Sequence, residues 1–191
     1  MTLPEHIESL VIPLAALQRV LDHFGERGVV IGGIAVGLLG KPRFTVDLDA
    51  MVFSDGSEIT DILKFAKSEG IQPRIKDVEA FAHKSRVLLL KHTDSGANID
   101  ISLGIFPFEL EVAERSVIHQ IGSLSVRLPT PEDLIIFKSV AHRPKDLEDI
   151  RTIVDNHPDL DIKRIKQWVK AFGEILDMPD LWNQIEKILK R

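Results

Sequence analysis

The chain has 191 residues, 44% hydrophobic and 28% charged, with 29 acidic against 24 basic side chains and neither cysteine nor tyrosine. Such a balance describes an ordinary folded chain with room for one sizeable core or two small lobes, and the absent cysteines exclude disulfide scaffolds, zinc ribbons and thiolate nucleophiles. A formal charge of -5 argues against coating nucleic acid through a general basic surface, while leaving local basic patches open.

Glu5 and Glu8 precede the first apolar stretch, unlike the positive leader of a secretory signal. The longest apolar run, Val29 to Gly40, has twelve residues including four glycines, short of the roughly 20 that span a membrane. The expectation is a cytoplasmic protein with no membrane partner. Leu14, Leu17, Leu21 and Phe24 recur at helical spacing, and Pro13 suits the first turn, so an opening helix ending near Gly25 or Gly28 is predicted. Val29-Val30-Ile31 reads as a short strand bounded by Gly32-Gly33, with a helix from Ile34 to Leu39 closed by Lys41-Pro42. Phe44 to Phe53 alternates, placing Val46, Leu48 and Ala50 on one face and Thr45, Asp47 and Asp49 on the other. Ile59 to Glu69 is a predicted amphipathic helix ended by Gly70.

Arg86 to Thr93 and Asn98 to Leu103 form a predicted hairpin around Asp94-Ser95-Gly96, with Asp100 on the polar stripe of its second strand. Phe108 to Arg115 reads as a helix, and Val117 to Ile121 and Leu124 to Leu128 as short edge strands. From Thr130 only helices follow: Thr130-Pro131-Glu132-Asp133 supplies a cap, a first-turn proline and acids before Leu134 to Ala141. Asp146 can cap a helix through Val154, and two more helices lie around Ile162 to Phe172 and Pro179 to Lys190. The fold class is α/β (α+β): a small mixed sheet flanked by helices over residues 1–128, and a helical C-terminal segment over 129–191, expected to pack as one unit.

The chemistry concentrates in Gly32-Gly33, Asp47-Leu48-Asp49 and Asp100. Residues two apart on a strand have α-carbons about 6.6 to 7 Å apart, so Asp47 and Asp49 can grip one hard cation or bridge a pair, and a neighbouring strand can bring in Asp100. Three converging carboxylates with no sulfur or paired-histidine ligands favour Mg²⁺ or Mn²⁺ over zinc. A glycine pair at a strand-to-helix junction lets backbone N–H groups and the positive helix end approach a phosphate; by itself it is equally a tight turn, and Asp-x-Asp by itself is equally a solvated strand. Their combination is the informative feature.

That combination, Val29-Val30-Ile31-Gly32-Gly33, Asp47-Leu48-Asp49 and Asn98-Ile99-Asp100-Ile101, resembles the nucleotidyltransferase superfamily that includes DNA polymerase β. Arg43-Phe44-Thr45-Val46-Asp47-Leu48-Asp49 looks like the motif of its minimal members, the AbiEii-type toxins and MNT-like proteins. Leu128 to Leu134, Lys138 and Arg143 to Ile150 are similar to the helical segment that follows the core in that group. The resemblance, over about residues 28 to 154, implies Mg²⁺-dependent transfer of a nucleoside monophosphate from an NTP to a hydroxyl-bearing acceptor (protein, RNA or small molecule) with release of pyrophosphate. It further implies a toxin-antitoxin partner. On this reading Asp47, Asp49 and Asp100 are catalytic and metal-binding, and Gly32, Gly33, Arg43, Thr45, Lys138, Arg143 and Lys145 bind the nucleotide. Gly33 departs from the serine that many relatives carry, which removes one hydroxyl contact to phosphate.

Simpler readings stand beside these: Lys138 as a solvated helix lysine, Arg143 and Lys145 as cations near a helix C-terminus, Arg43 as a salt-bridge partner of Asp47 or Asp49, Thr45 as a strand former. Asp146 and Asp149 read as cap and first-turn acid rather than catalytic groups. The seven histidines lack zinc-site spacing, and no serine sits in an elbow motif. Two other functions are compatible with the motifs: a non-catalytic nucleotide- or partner-binding module resembling an antitoxin, and a phosphatase resembling the haloacid dehalogenases, against which the residues after Asp49 speak. Residues 138 to 191 hold 11 basic and 10 acidic groups, against 13 and 19 in residues 1 to 137, so the tail, notably Lys163-Arg164-Ile165-Lys166, is the side better suited to an anionic acceptor.

Overall fold

The structure, a computed structural model, describes residues 5–190. The described residues divide into two compact units, the first running up to residue 34 and over 43–128, the second over 35–42 and from residue 129 onward.

The first unit opens with a 3₁₀ turn and helix α1 (Val11–Asp22), whose Leu14, Leu17 and Leu21 are fully buried at the predicted spacing. Five strands follow: β1 (Gly28–Ile31), β2 (Asp47–Phe53), β3 (Ile71–Pro73), β4 (Val87–His92) and β5 (Asn98–Gly104), in the sheet order β1-β2-β5-β4-β3. Only β2 and β5 run parallel; the other pairs are antiparallel. The return from β2 to β5 passes through α3 (Ile59–Ser68), β3, α4 (Val78–Ser85) and β4. Leu48, Leu88, Leu90, Ile99 and Ile101 are fully buried, each such side chain contributing about 1.5–3 kcal/mol relative to exposure. Helix α5 (Pro107–Arg115) and the two-stranded ribbon β6 (Val117–Ile121) with β7 (Leu124–Leu128) complete the unit.

Three expectations are corrected. The segment 71–85, given no elements from the sequence, contains β3 and α4. Strand β2 begins at Asp47 rather than Phe44, and Val46, read on one face with Leu48 and Ala50, is 55% exposed where those two are buried. Helix α2 (Gly32–Leu39) starts two residues earlier than read, and as its Ile34, Ala35, Val36 and Leu39 are all buried it shows no polar face.

The second unit holds the distal part of α2 with α6 (Pro131–Ala141), α7 (Pro144–Asn156), α8 (Ile162–Ile175) and α9 (Leu181–Leu189). Thr130 caps α6 as predicted, accepting from the Asp133 N–H at 3.3 Å. The carbonyls at the end of α2 are taken by α7: Asn156 Nδ2 donates to the Gly40 carbonyl, and His157 Nε2 lies 2.7 Å from the Leu39 carbonyl. Arg164 Nε donates to the buried Asp133 carboxylate at 2.7 Å, tying α8 to α6. Asp146 is not the cap of α7: Arg143 holds that position, and Asp146 is the third helical residue. No helix among the described residues is long and apolar enough to cross a membrane.

Candidate active site

Strand pairing places the acids of the first unit. Asp49 is in direct register with Asp100, and Asp47 with Asn98, across the parallel β2–β5 pair. Register partners on adjacent strands share a face, and residues two apart on one strand share it too, so Asp47, Asp49 and Asp100 form one strip. All three are half-buried. Asp47 Oδ1 accepts from the Asn98 amide at 3.0 Å, and the Thr45 hydroxyl donates to the Asp47 carbonyl at 3.2 Å. Asp100 is held by Arg74, whose two terminal nitrogens donate to its two oxygens at 2.5 and 3.2 Å.

The glycine pair closes over this strip. Gly32 has φ +66, and a Cβ there would overlap the Asp49 carboxylate, with Asp49 Cγ only 2.6 Å away. A side chain is thus barred by both the left-handed backbone and the acid beneath it. At Gly33 an added Cβ would lie 2.6 Å from Thr45 Oγ1 and 3.4 Å from an Arg43 guanidinium nitrogen. Gly32, Gly33, Arg43 and Thr45 are therefore neighbours at the start of α2, beside Asp49. The departure from serine at position 33 acquires a physical reason: Thr45 fills the space a serine would need. Gly33→Ser is accordingly expected to destabilise the protein by about 1–3 kcal/mol through overpacking, and Thr45→Ala in the same chain to recover only part of it, because the Thr45 β-carbon also lies 2.9 Å from the added one; urea denaturation of the single and double variants checks this.

The second unit carries the remaining predicted cations. Lys138 is not a solvated lysine. Its ammonium is buried, 3.0 Å from Asp146 Oδ1 and 2.9 Å from Asp149 Oδ2. Arg143 Nε donates to Asp146 Oδ2 at 2.6 Å and its backbone N–H to the same oxygen at 3.1 Å, while Lys145 is exposed. Burial would raise the Asp146 carboxyl pKa, but hydrogen bonds from Arg143 and Lys138, with the charge of Lys138, outweigh it and hold the pKa at about 2. Because the folded value lies below the ordinary 3.8, Asp146 contributes about 2 kcal/mol of stability that is present above pH 4 and lost as pH falls towards 2. Asp146→Asn is expected to flatten that part of the stability profile, measured by denaturation between pH 2 and 6.

Three carboxylates on one sheet face are the donor chemistry of a hard divalent cation. Among the described residues, however, no three His, Asp or Glu side chains are gathered closely enough to hold a metal ion. Asp100 is engaged by Arg74 and Asp47 by Asn98. The donor set fits Mg²⁺ or Mn²⁺ in kind, and gathering it requires Asp100 to exchange its guanidinium for the cation. Arg74 is the residue of this site that the sequence reading did not find; its distance of 26 residues from Asp100 left no local signal.

A five-stranded mixed sheet with Gly-Gly at a strand-to-helix junction and an acidic pair on the adjoining strand is a nucleotidyltransferase-like core. Residues 10–180 match the family described as nucleotidyltransferase of unknown function (DUF6036), and the chain belongs to that family. Its fold is similar to that of an antigenic nucleotidyltransferase-like protein from Paracoccidioides brasiliensis, at 18% identity and a TM-score of 0.55 over 96% of this chain and 94% of that one. It is also similar to an H. pylori chain described as a candidate nucleotidyltransferase, at 17% identity and a TM-score of 0.54 over 98% and 93%. A third similar structure is the antibiotic-resistance factor ANT(2'')-Ia, at 15% identity and a TM-score of 0.54 over 86% and 93%. No curated protein matches the sequence.

Proposed function

We propose that the protein transfers a nucleoside monophosphate from an NTP to a hydroxyl-bearing acceptor and releases pyrophosphate. The observation that carries this reading is the acidic strip: Asp49 in register with Asp100, Asp47 on the same face, and Gly32 directly over the Asp49 carboxylate. Family membership supports it.

Asp47, Asp49 and Asp100 are the residues that would hold Mg²⁺ or Mn²⁺, which when bound supplies neutralisation of the triphosphate and stabilisation of charge on the transferred phosphoryl group. Gly32 and Gly33 offer backbone N–H groups to phosphate oxygens, a close approach that their missing side chains permit. Arg43 is the first-unit cation assigned to the triphosphate, with Thr45 holding the loop against Gly33. Arg143 and Lys145 are the second-unit candidates, and Lys138 serves Asp146 and Asp149 first. In the reaction the acceptor oxygen attacks the α-phosphorus and its proton passes to the Asp100 carboxylate. The bond from that phosphorus to the β-bridging oxygen breaks, and pyrophosphate departs with that electron pair. Positioning and electrostatics carry most of the rate.

The resemblance of Arg43 to Asp49 to the AbiEii and MNT-like motif supports a toxin-antitoxin partner for this chain. The Arg74–Asp100 pair favours a second reading, a nucleotide- or partner-binding module of antitoxin type without turnover. Incubating the purified protein with each α-labelled NTP, Mg²⁺ and a cell extract separates the two. Transfer of label to one class of acceptor supports the enzyme and identifies base and acceptor together, whereas nucleotide binding with no labelled product supports the module.

A further inference from the structure

We infer that Arg74 is a positioning residue of the acidic strip: it fixes the Asp100 carboxylate and competes with a divalent cation for it. The inference rests on the metal-binding reading of that strip.

Arg74 follows directly on the outermost strand β3, and its placement is built rather than incidental. Its backbone N–H donates to the Leu89 carbonyl at 3.0 Å and its guanidinium to the Leu90 carbonyl at 3.2 Å, both on β4. Leu89 is the register partner of Asp100. The side chain thus reaches over β4 and meets both Asp100 oxygens, with Arg74 and Asp100 only 25% and 33% exposed. A planar guanidinium matched to both oxygens of a carboxylate is the strong, geometrically specific form of an ion pair, which a lysine cannot reproduce. Asp47, by contrast, is met by a neutral amide, which leaves its charge in place.

Two consequences follow. A cation that takes Asp100 as a ligand must displace this pair, which lowers its affinity for the strip. Both Asp100 oxygens are also occupied by the guanidinium, so Asp100 can meet the acceptor hydroxyl only after Arg74 has let one of them go. Loss of Arg74 frees both Asp100 oxygens, which are then available to a divalent cation on the strip.

The test is titration of the 191-residue chain with Mn²⁺ alone, without nucleotide, read by electron paramagnetic resonance of free Mn²⁺ and by calorimetry. Arg74→Gln is expected to bind Mn²⁺ about tenfold more tightly than the unaltered protein, equivalent to ~1.4 kcal/mol. Arg74→Lys, which keeps the charge and loses the fork, is expected to fall between, and remains informative if the glutamine variant does not fold. In the Asp100→Asn background Arg74→Gln is expected to bring no gain. Unchanged Mn²⁺ affinity in folded Arg74→Gln and Arg74→Lys, while Asp49→Asn abolishes binding, would overturn the inference and leave the metal-centre reading intact. Absence of Mn²⁺ binding in every variant overturns both.

Discussion

Asp49→Asn is expected to lower Mg²⁺-dependent nucleotidyl transfer by at least about a thousandfold, which corresponds to ~4 kcal/mol of transition-state stabilisation. Asparagine keeps the size of the side chain, and size matters here because Gly32 lies directly over the Asp49 carboxylate. The substitution therefore removes charge without disturbing the close packing of β2 against the start of α2. The substituted side chain keeps its shape, so the protein in EDTA is expected to melt close to the temperature of the unaltered chain. Added Mn²⁺ should raise the melting temperature of the unaltered chain and leave that of the variant nearly unmoved. Asp47→Asn is expected to follow the same pattern. Transfer equal to that of the unaltered protein in both variants contradicts the assignment of these acids.

Lys138→Met is expected to act on stability rather than chemistry. Its ammonium lies between Asp146 and Asp149, whose side chains are 0% and 5% exposed. Removing the cation that lies between two buried carboxylates leaves them repelling each other, at a cost of about 3–5 kcal/mol. For a chain of this length that corresponds to a fall of roughly 6–20 °C in melting temperature. Adding Asp149→Asn removes the repulsion between the two carboxylates while Asp146 keeps its bonds to Arg143, and is expected to restore part of the loss. A variant that melts normally and shows only a raised KM for the NTP would assign Lys138 to the triphosphate instead.

The parts of this site legible in the sequence were those whose signal is local. The β1 to α2 junction follows from a β-branched run ending in two glycines, and the facing of Asp47 with Asp49 follows from period-two alternation. The β4–β5 hairpin likewise carries its turn residues in its own sequence. Alternation misled at its edge: Phe44 and Val46 continue the pattern but are 73% and 55% exposed. The neighbouring strands explain it, because β5 begins at Asn98 opposite Asp47 and β1 ends at Ile31 opposite Asp49, so the residues before Asp47 have no strand to join. Strand β3 has three residues including a proline, and α4 is eight residues flanked by left-handed Asp77 and Arg86, too short for either period to register.

Charged groups were the least legible because their partners are remote. Lys138 reads as a solvated lysine until α7 supplies two aspartates three residues apart on one face, a spacing that marks a shared partner. Arg74 has no such marker; only the strand order β5-β4-β3 brings it to Asp100.

The proposal that this chain moves a nucleoside monophosphate is tested most directly by parallel reactions with α-labelled and γ-labelled NTP, Mg²⁺ and cell extract. Nucleotidyl transfer predicts label on the acceptor from the α-phosphate only, with the γ-label recovered in pyrophosphate and both signals lost in Asp49→Asn. Label arriving on the acceptor from the γ-phosphate, or release of inorganic phosphate in place of pyrophosphate, would contradict it.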